Sequence, residues 1–121
     1  MSVKKLFDLT GKVALVTGGS RGLGLQMGEA LGEMGAKLAI SARKRDELEQ
    51  ARKHLAALGV EAFPLTCDLQ DTHAIAPMVE AVLAHYGRID ILVNNAGATW
   101  GAPAEDHPLD AWQKQIGRAH V

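Results

Sequence analysis

Short, continuously apolar runs alternate with longer amphipathic segments along this chain, and that alternation restricts the possible folds more than any other feature. Residues 13–16 (VALV) form the first run, bounded by Gly11 before it and by glycines after it. Such a run, rich in β-branched residues, predicts a strand buried on both faces. Residues 37–41 (KLAIS), 60–66 and 89–93 (IDILV) predict three more, with an irregularity at Pro64. Between them, apolar residues recur at steps of three and four. Leu23, Met27, Ala30, Leu31 and Met34 predict a helix over 23–34. Leu48, Ala51, Leu55 and Leu58 predict one over 46–58, with Gly59 at its C-cap. Ile75, Met78, Val79, Val82, Leu83 and Tyr86 predict a third over 71–86, closed by Gly87.

Strands alternating with helices imply right-handed βαβ crossovers and a parallel sheet, hence an α/β fold. The expected strand order is 3-2-1-4, half of a doubly wound sheet. With 121 residues, 47% hydrophobic and 22% charged, the chain suits one folded domain. A net charge of −1 offers no basic field to nucleic acid or anionic lipid. Asp8 follows Leu6 and Phe7 at once, so the N-terminus has no apolar core for a signal peptide, and no stretch reaches the roughly 20 apolar residues of a membrane span. A cytoplasmic location is therefore expected. The single cysteine, Cys67, reads as a small core residue. The five histidines lack metal-ligand spacing, so no metal site is expected.

Residues 17–24 read TGGSRGLG, a glycine-rich stretch where a helix is about to start. Glycines there permit positive φ and let a ligand approach the backbone. A pyrophosphate suits the position, since the helix directs free N–H groups and its positive dipole end at the anion. Neither GxGxxG nor GxxxxGK[ST] occurs. The pattern present is TGxxxGxG, filled by Thr17, Gly18, Gly22 and Gly24, and NNAG follows the fourth strand at residues 94–97. Gly28 and Gly32 continue the glycine series at four-residue steps and allow the helix to press against strand one or a neighbour.

With NNAG and the CDL at residues 67–69, this pattern resembles the short-chain dehydrogenase/reductase family over about residues 7–115, with its Rossmann-like fold present as the N-terminal half only. The resemblance implies that Thr17, Gly18, Ser20, Arg21, Gly22, Leu23 and Gly24 wrap the pyrophosphate and adenosine ribose. It implies an adenine site at Asp68 and Leu69, and a turn beside the ribose and nicotinamide at Asn94, Ala96 and Gly97. Asparagines at 94 and 95 also suit a tight turn, so scaffold and contact roles coincide there.

Charge distinguishes the cofactors. An NAD site carries an acid at the end of strand two, about 20 residues past the glycines, for the ribose 2′-OH. Here that region reads Ser41, Ala42, Arg43, Lys44, Arg45. An arginine pairs instead with a 2′-phosphate, so Arg43, helped by Arg21, favours NADP(H) over NAD(H). A solvated basic turn is the structural alternative.

In the family a tyrosine, a lysine four residues later and a serine perform the proton chemistry around hydride transfer to or from a carbonyl or alcohol carbon. Tyr86 is the sole tyrosine and no lysine follows at that spacing, so it reads as packing and the catalytic residues are expected beyond this chain. The segment after NNAG is similar to 3-oxoacyl carrier-protein reductases and gluconate dehydrogenases, and the resemblance implies a homotetrameric parent. Residues 1–115 thus read as the N-terminal part of one dinucleotide-binding domain. The terminal IGRAHV is what a common sequencing-library adapter encodes in frame, so residues 116–121 are expected to be foreign; a natural truncation is the alternative. Two rival readings stand beside the oxidoreductase: a non-catalytic NADP(H) sensor, and a gene fragment without function.

Overall fold

The computed structural model of the chain describes residues 3–95. After a short N-terminal helix, α1 (Val3–Leu6), the order is β1 (Val13–Thr17), α2 (Gly22–Glu33), β2 (Lys37–Ala42), α3 (Arg45–Ala57) and β3 (Ala62–Thr66). A 3₁₀ turn (Thr72–Ala74), α4 (Ile75–Tyr86) and β4 (Ile91–Asn94) follow. All strand pairs are parallel and the sheet order is β3-β2-β1-β4. The doubly wound half-sheet expected from the alternation is thus the fold of the described residues.

Why β1 takes the centre follows from its composition. All five of its residues are buried, alternating between two cores. On one face Ala14, Val16, Leu38 and Ile40 pack with Leu48, Ala51 and Leu55 of α3, and with Leu25 and Leu31 of α2. On the other, Val13, Leu15 and Ala39 meet Met78 and Val82 of α4. Two helices on one face and one on the other bury a strand that has no polar side to expose. Among the described residues no helix is long and apolar enough to cross a membrane.

Several details depart from the sequence reading. The face of α2 that presses on the sheet is its glycine face: Gly24 and Gly28 are buried, while Leu23 is 60% exposed. A Cβ on Gly28 would stand 3.2 Å from Leu38 Cδ1 of β2, and one on Gly32 would collide with Val60. At these glycines the helix presses on strand two, the neighbour of strand one, and on the segment before β3, as the glycine spacing allowed. Gly59 lies one residue past the C-cap, which is Leu58. There Gly59 N–H donates to the Ala56 carbonyl and Val60 N–H to the Leu55 carbonyl, so Gly59 at φ +79° reverses the chain and Leu58 is left exposed. The segment 71–86 starts as a 3₁₀ turn, whose cap Asp71 accepts the His73 N–H, and becomes α-helical only at Ile75. Pro64 does not break its strand: Pro64 pairs in register with Ile40. Within the described sheet β3 lies at an edge, where the N–H that proline lacks is not required.

Candidate nucleotide-binding cleft

A parallel sheet brings the ends of consecutive strands to one edge, and at that edge the loops after β1, β2 and β3 surround a cleft of about 470 Å³. From the first loop come Gly18, Ser20, Arg21 and Gly22; from the second, Ser41, Ala42, Arg43 and Lys44, with Glu47 one turn into α3. Cys67, Asp68, Leu69 and Gln70 form the third wall, and Asn95 closes the floor from the end of β4.

The glycine turn has a backbone only glycine supports. Gly18 has φ +65° and Gly22 φ +57°, left-handed values that cost other residues about 1–2 kcal/mol. Gly24 is required for closeness rather than angle: an added Cβ would overlap the Gly18 carbonyl oxygen, at 2.1 Å. The start of α2 thus lies directly against the turn. Gly19 N–H donates to the Ser41 carbonyl at 3.1 Å, which fixes the turn to β2. No side chain caps α2, and no acid lies in its first turn, so its N-terminal dipole faces the cleft side of the turn uncompensated.

Thr17 and Asn95 join the two glycine-containing motifs. The buried Thr17 hydroxyl lies 3.2 Å from Asn94 Oδ1 and 3.3 Å from the Val93 carbonyl, sharing its proton between them. It accepts the Asn95 N–H at 3.1 Å. Asn95 Nδ2 then donates to the Gly18 carbonyl at 3.3 Å. The turn after β1 and the end of β4 therefore form one hydrogen-bonded unit.

Charge in the cleft is mixed. Arg21, Arg43 and Lys44 supply cations; Glu47 and Asp68 supply acids. Arg21 and Lys44 each lie 3.9 Å from Glu47 Oε1, whereas Arg43 makes no ion pair among the described residues. Asp68 folds back on its own loop, accepting the Gln70 N–H at 3.0 Å on Oδ1, while its carbonyl accepts the Asp71 N–H. Burial raises the Cys67 thiol above its ordinary range, and the nearby Asp68 and Asp71 carboxylates add to that. Its Sγ lies against the Ala74 carbonyl, so Cys67 is a wall residue and not a nucleophile.

Of the residues singled out in the sequence, Gly18, Ser20, Arg21, Gly22, Arg43, Asp68 and Leu69 meet at this cleft. Thr17, Gly24 and Asn94 lie behind it as its support, and Leu23 points to solvent. Ala96 and Gly97 lie outside the described residues. Sequence reasoning passed over Glu47 as a site residue and gave Asn95 a scaffold-and-contact role. Asn95 was visible within NNAG; Glu47 carried no signal, because only the fold turns the start of α3 toward the glycine turn. Tyr86 lies away from the cleft, donating its hydroxyl to the Leu38 carbonyl at 2.9 Å. Among the described residues no cluster of metal-ligating side chains occurs.

The cleft fits a dinucleotide. A glycine turn in a conformation side chains exclude, against an uncapped helix start, suits pyrophosphate, and Arg43 and Lys44 one loop away, with Arg21 of the turn itself, are cations that suit an anion. Comparison with known proteins agrees. The sequence profile described as short chain dehydrogenase matches residues 12–118. The rhamnolipid-biosynthesis 3-oxoacyl-[acyl-carrier-protein] reductase of Pseudomonas aeruginosa is 40% identical over 109 residues, 89% of this chain and 42% of that protein. Gluconate 5-dehydrogenase of Gluconobacter oxydans is 38% identical over 112 residues, 93% of this chain and 44% of that protein. A metagenomic short-chain oxidoreductase solved in complex with NADP superposes with a TM-score of 0.78 at 40% identity, covering 92% of this chain and 51% of the other. The chain spans less than half the length of these two curated relatives. With the glycine turn, the sheet order and the profile in agreement, the chain belongs to the short chain dehydrogenase family.

Proposed function

We propose that residues 1–115 are part of a single dinucleotide-binding domain, in an oxidoreductase that moves hydride between NADP(H) and a carbonyl or secondary alcohol. The observation that carries the cofactor preference is Arg43: it follows the last residue of β2, lines the cleft and has no ion-pair partner among the described residues. Its planar fork is free for a 2′-phosphate, and Arg21 reaches the cleft from the glycine turn. Gly18, Ser20 and Gly22 would hold the pyrophosphate, with Gly24 holding α2 close. Asp68 and Leu69 would hold the adenine, and Asn94 and Asn95 at the end of β4 would hold the nicotinamide ribose; Ala96 and Gly97 lie outside the described residues. When bound, the nicotinamide supplies or accepts the hydride. The chain's own residues bind and orient it. The NADP complex of the metagenomic oxidoreductase supports the cofactor, and the 3-oxoacyl reductase and gluconate dehydrogenase relatives support the substrate class.

The test is titration of the full chain with NADPH and NADH, followed by cofactor fluorescence. Arg43→Asp is expected to weaken NADPH at least tenfold more than NADH, about 1.4 kcal/mol of selective interaction. Equal losses for the two cofactors reject the 2′-phosphate role.

A further inference from the structure

The end of β2 carries no acid, yet the fold returns one to the same place. Glu47, in the first turn of α3, lines the cleft beside Arg43 and Lys44. A single oxygen, Oε1, stands 3.9 Å from Arg21 Nη1 and 3.9 Å from Lys44 Nζ. The three members are not equally anchored. The Glu47 side chain is 28% exposed, against 79% for Arg21 and 65% for Lys44. Glu47 also sits where a negative charge is favoured by the helix dipole. The carboxylate is therefore the fixed partner and the cations are the members free to swing.

We infer that Glu47 is a specificity-determining residue, a built-in counter-charge that engages Arg21 and Lys44 and so lowers the cleft's preference for a 2′-phosphorylated adenosine over an unphosphorylated one. The inference rests on the reading of this cleft as the adenosine end of a dinucleotide site. A 2′-phosphate entering beside Arg43 must draw Arg21 and Lys44 away from the acid and tolerate its charge. A ribose 2′-hydroxyl meets no such repulsion, and a carboxylate can accept its proton in a hydrogen bond. One carboxylate thus penalises the first ligand and accommodates the second.

The probes are adenosine 2′,5′-bisphosphate and AMP, which differ only in the 2′-phosphate, titrated calorimetrically into the full chain and its variants. Glu47→Gln keeps the shape and removes the charge. It is expected to raise the bisphosphate-to-AMP affinity ratio about fivefold, without strengthening AMP, as expected for one charge removed near a phosphate in a partly solvated site. Bisphosphate binding to Glu47→Gln should also weaken more steeply with salt than binding to the wild type. Glu47→Asp, which keeps the charge, is expected to hold the ratio within about twofold of wild type. A helix-capping role alone would lower the melting temperature and leave the ratio unmoved, and that result overturns the inference. An equal gain for both ligands overturns it too, since the carboxylate would then act on the shared 5′-phosphate. If the wild type binds neither probe, the adenosine reading fails first. Wild-type binding with an unmoved ratio removes only the role of Glu47.

Discussion

The side-chain amide of Asn95 donates to the Gly18 carbonyl across 3.3 Å, so the end of β4 restrains the turn that follows β1. Asn95→Ala removes this donor and leaves the backbone bond to Thr17 in place. The expected cost is about 1 kcal/mol in thermal or urea unfolding. Dinucleotide affinity should fall by more than the stability loss explains, because the turn itself loosens. Unchanged affinity in a well-folded Asn95→Ala protein would show that β4 does not organise the turn.

Gly22 and Gly24 are expected to respond differently to alanine. At Gly22 there is open space and a φ of +57°, so the substitution costs about 1–2 kcal/mol of backbone strain. At Gly24 the new Cβ meets the Gly18 carbonyl, which is main chain and cannot rotate away, so α2 must shift. The expected cost is about 3 kcal/mol. Paired denaturation curves check the order; Gly24→Ala as mild as Gly22→Ala contradicts the close approach.

Tyr86 is the only tyrosine, so its ionisation can be followed by tyrosinate absorbance. Burial raises its pKa, and the nearby negative charge of Glu61 raises it further. The folded value lies above the unfolded value of about 10. The associated stability is therefore complete below pH about 10 and is lost as pH rises through the folded value. Tyrosinate should appear late in an alkaline titration and together with loss of the far-ultraviolet helix signal. Ordinary titration near pH 10 with the fold intact contradicts the buried hydroxyl.

Asp90 joins the strand starts: its Oδ2 accepts the Val13 N–H at 2.9 Å, and its own N–H donates to the Val13 carbonyl. The hydrogen bond from Arg88 is the main cause of its lowered pKa, with the Val13 N–H second. A depressed carboxylate contributes stability above its unfolded value of about 3.9 and loses it as pH falls through the folded value. Asp90→Asn should therefore be less stable than wild type at neutral pH, with the two curves converging as pH falls through the folded value. A gap that persists at low pH points to lost geometry rather than lost charge.

What the sequence made legible follows from which signals are local. Strands buried on both faces announce themselves as unbroken apolar runs, so β1 and β2 were found within one residue at each end. The inward face of α2 was legible only in the glycine spacing at Gly28 and Gly32, because glycines contribute no hydrophobicity yet pack closest. Scoring the apolar residues instead selected Leu23, which faces solvent. The TGxxxGxG spacing located the glycine turn, since each glycine answers a backbone requirement set within a few residues. Glu47 depends on the meeting of segments far apart in the chain, and no spacing rule marks such a meeting; Asn95 was visible within NNAG, but its bond to Gly18 was not.

The sheet order has a temporal consequence. Strand β1 pairs with β2 and β2 with β3, so three walls of the cleft arise from contacts of modest sequence separation. The fourth contribution is different: Asn95 reaches Gly18 across 77 positions of the chain. Closing so long a loop carries an entropic cost that local pairing does not, and distant pairings slow folding. A nascent chain is thus expected to assemble the walls contributed by β1, β2 and β3 first and to acquire a locked glycine turn only when β4 docks.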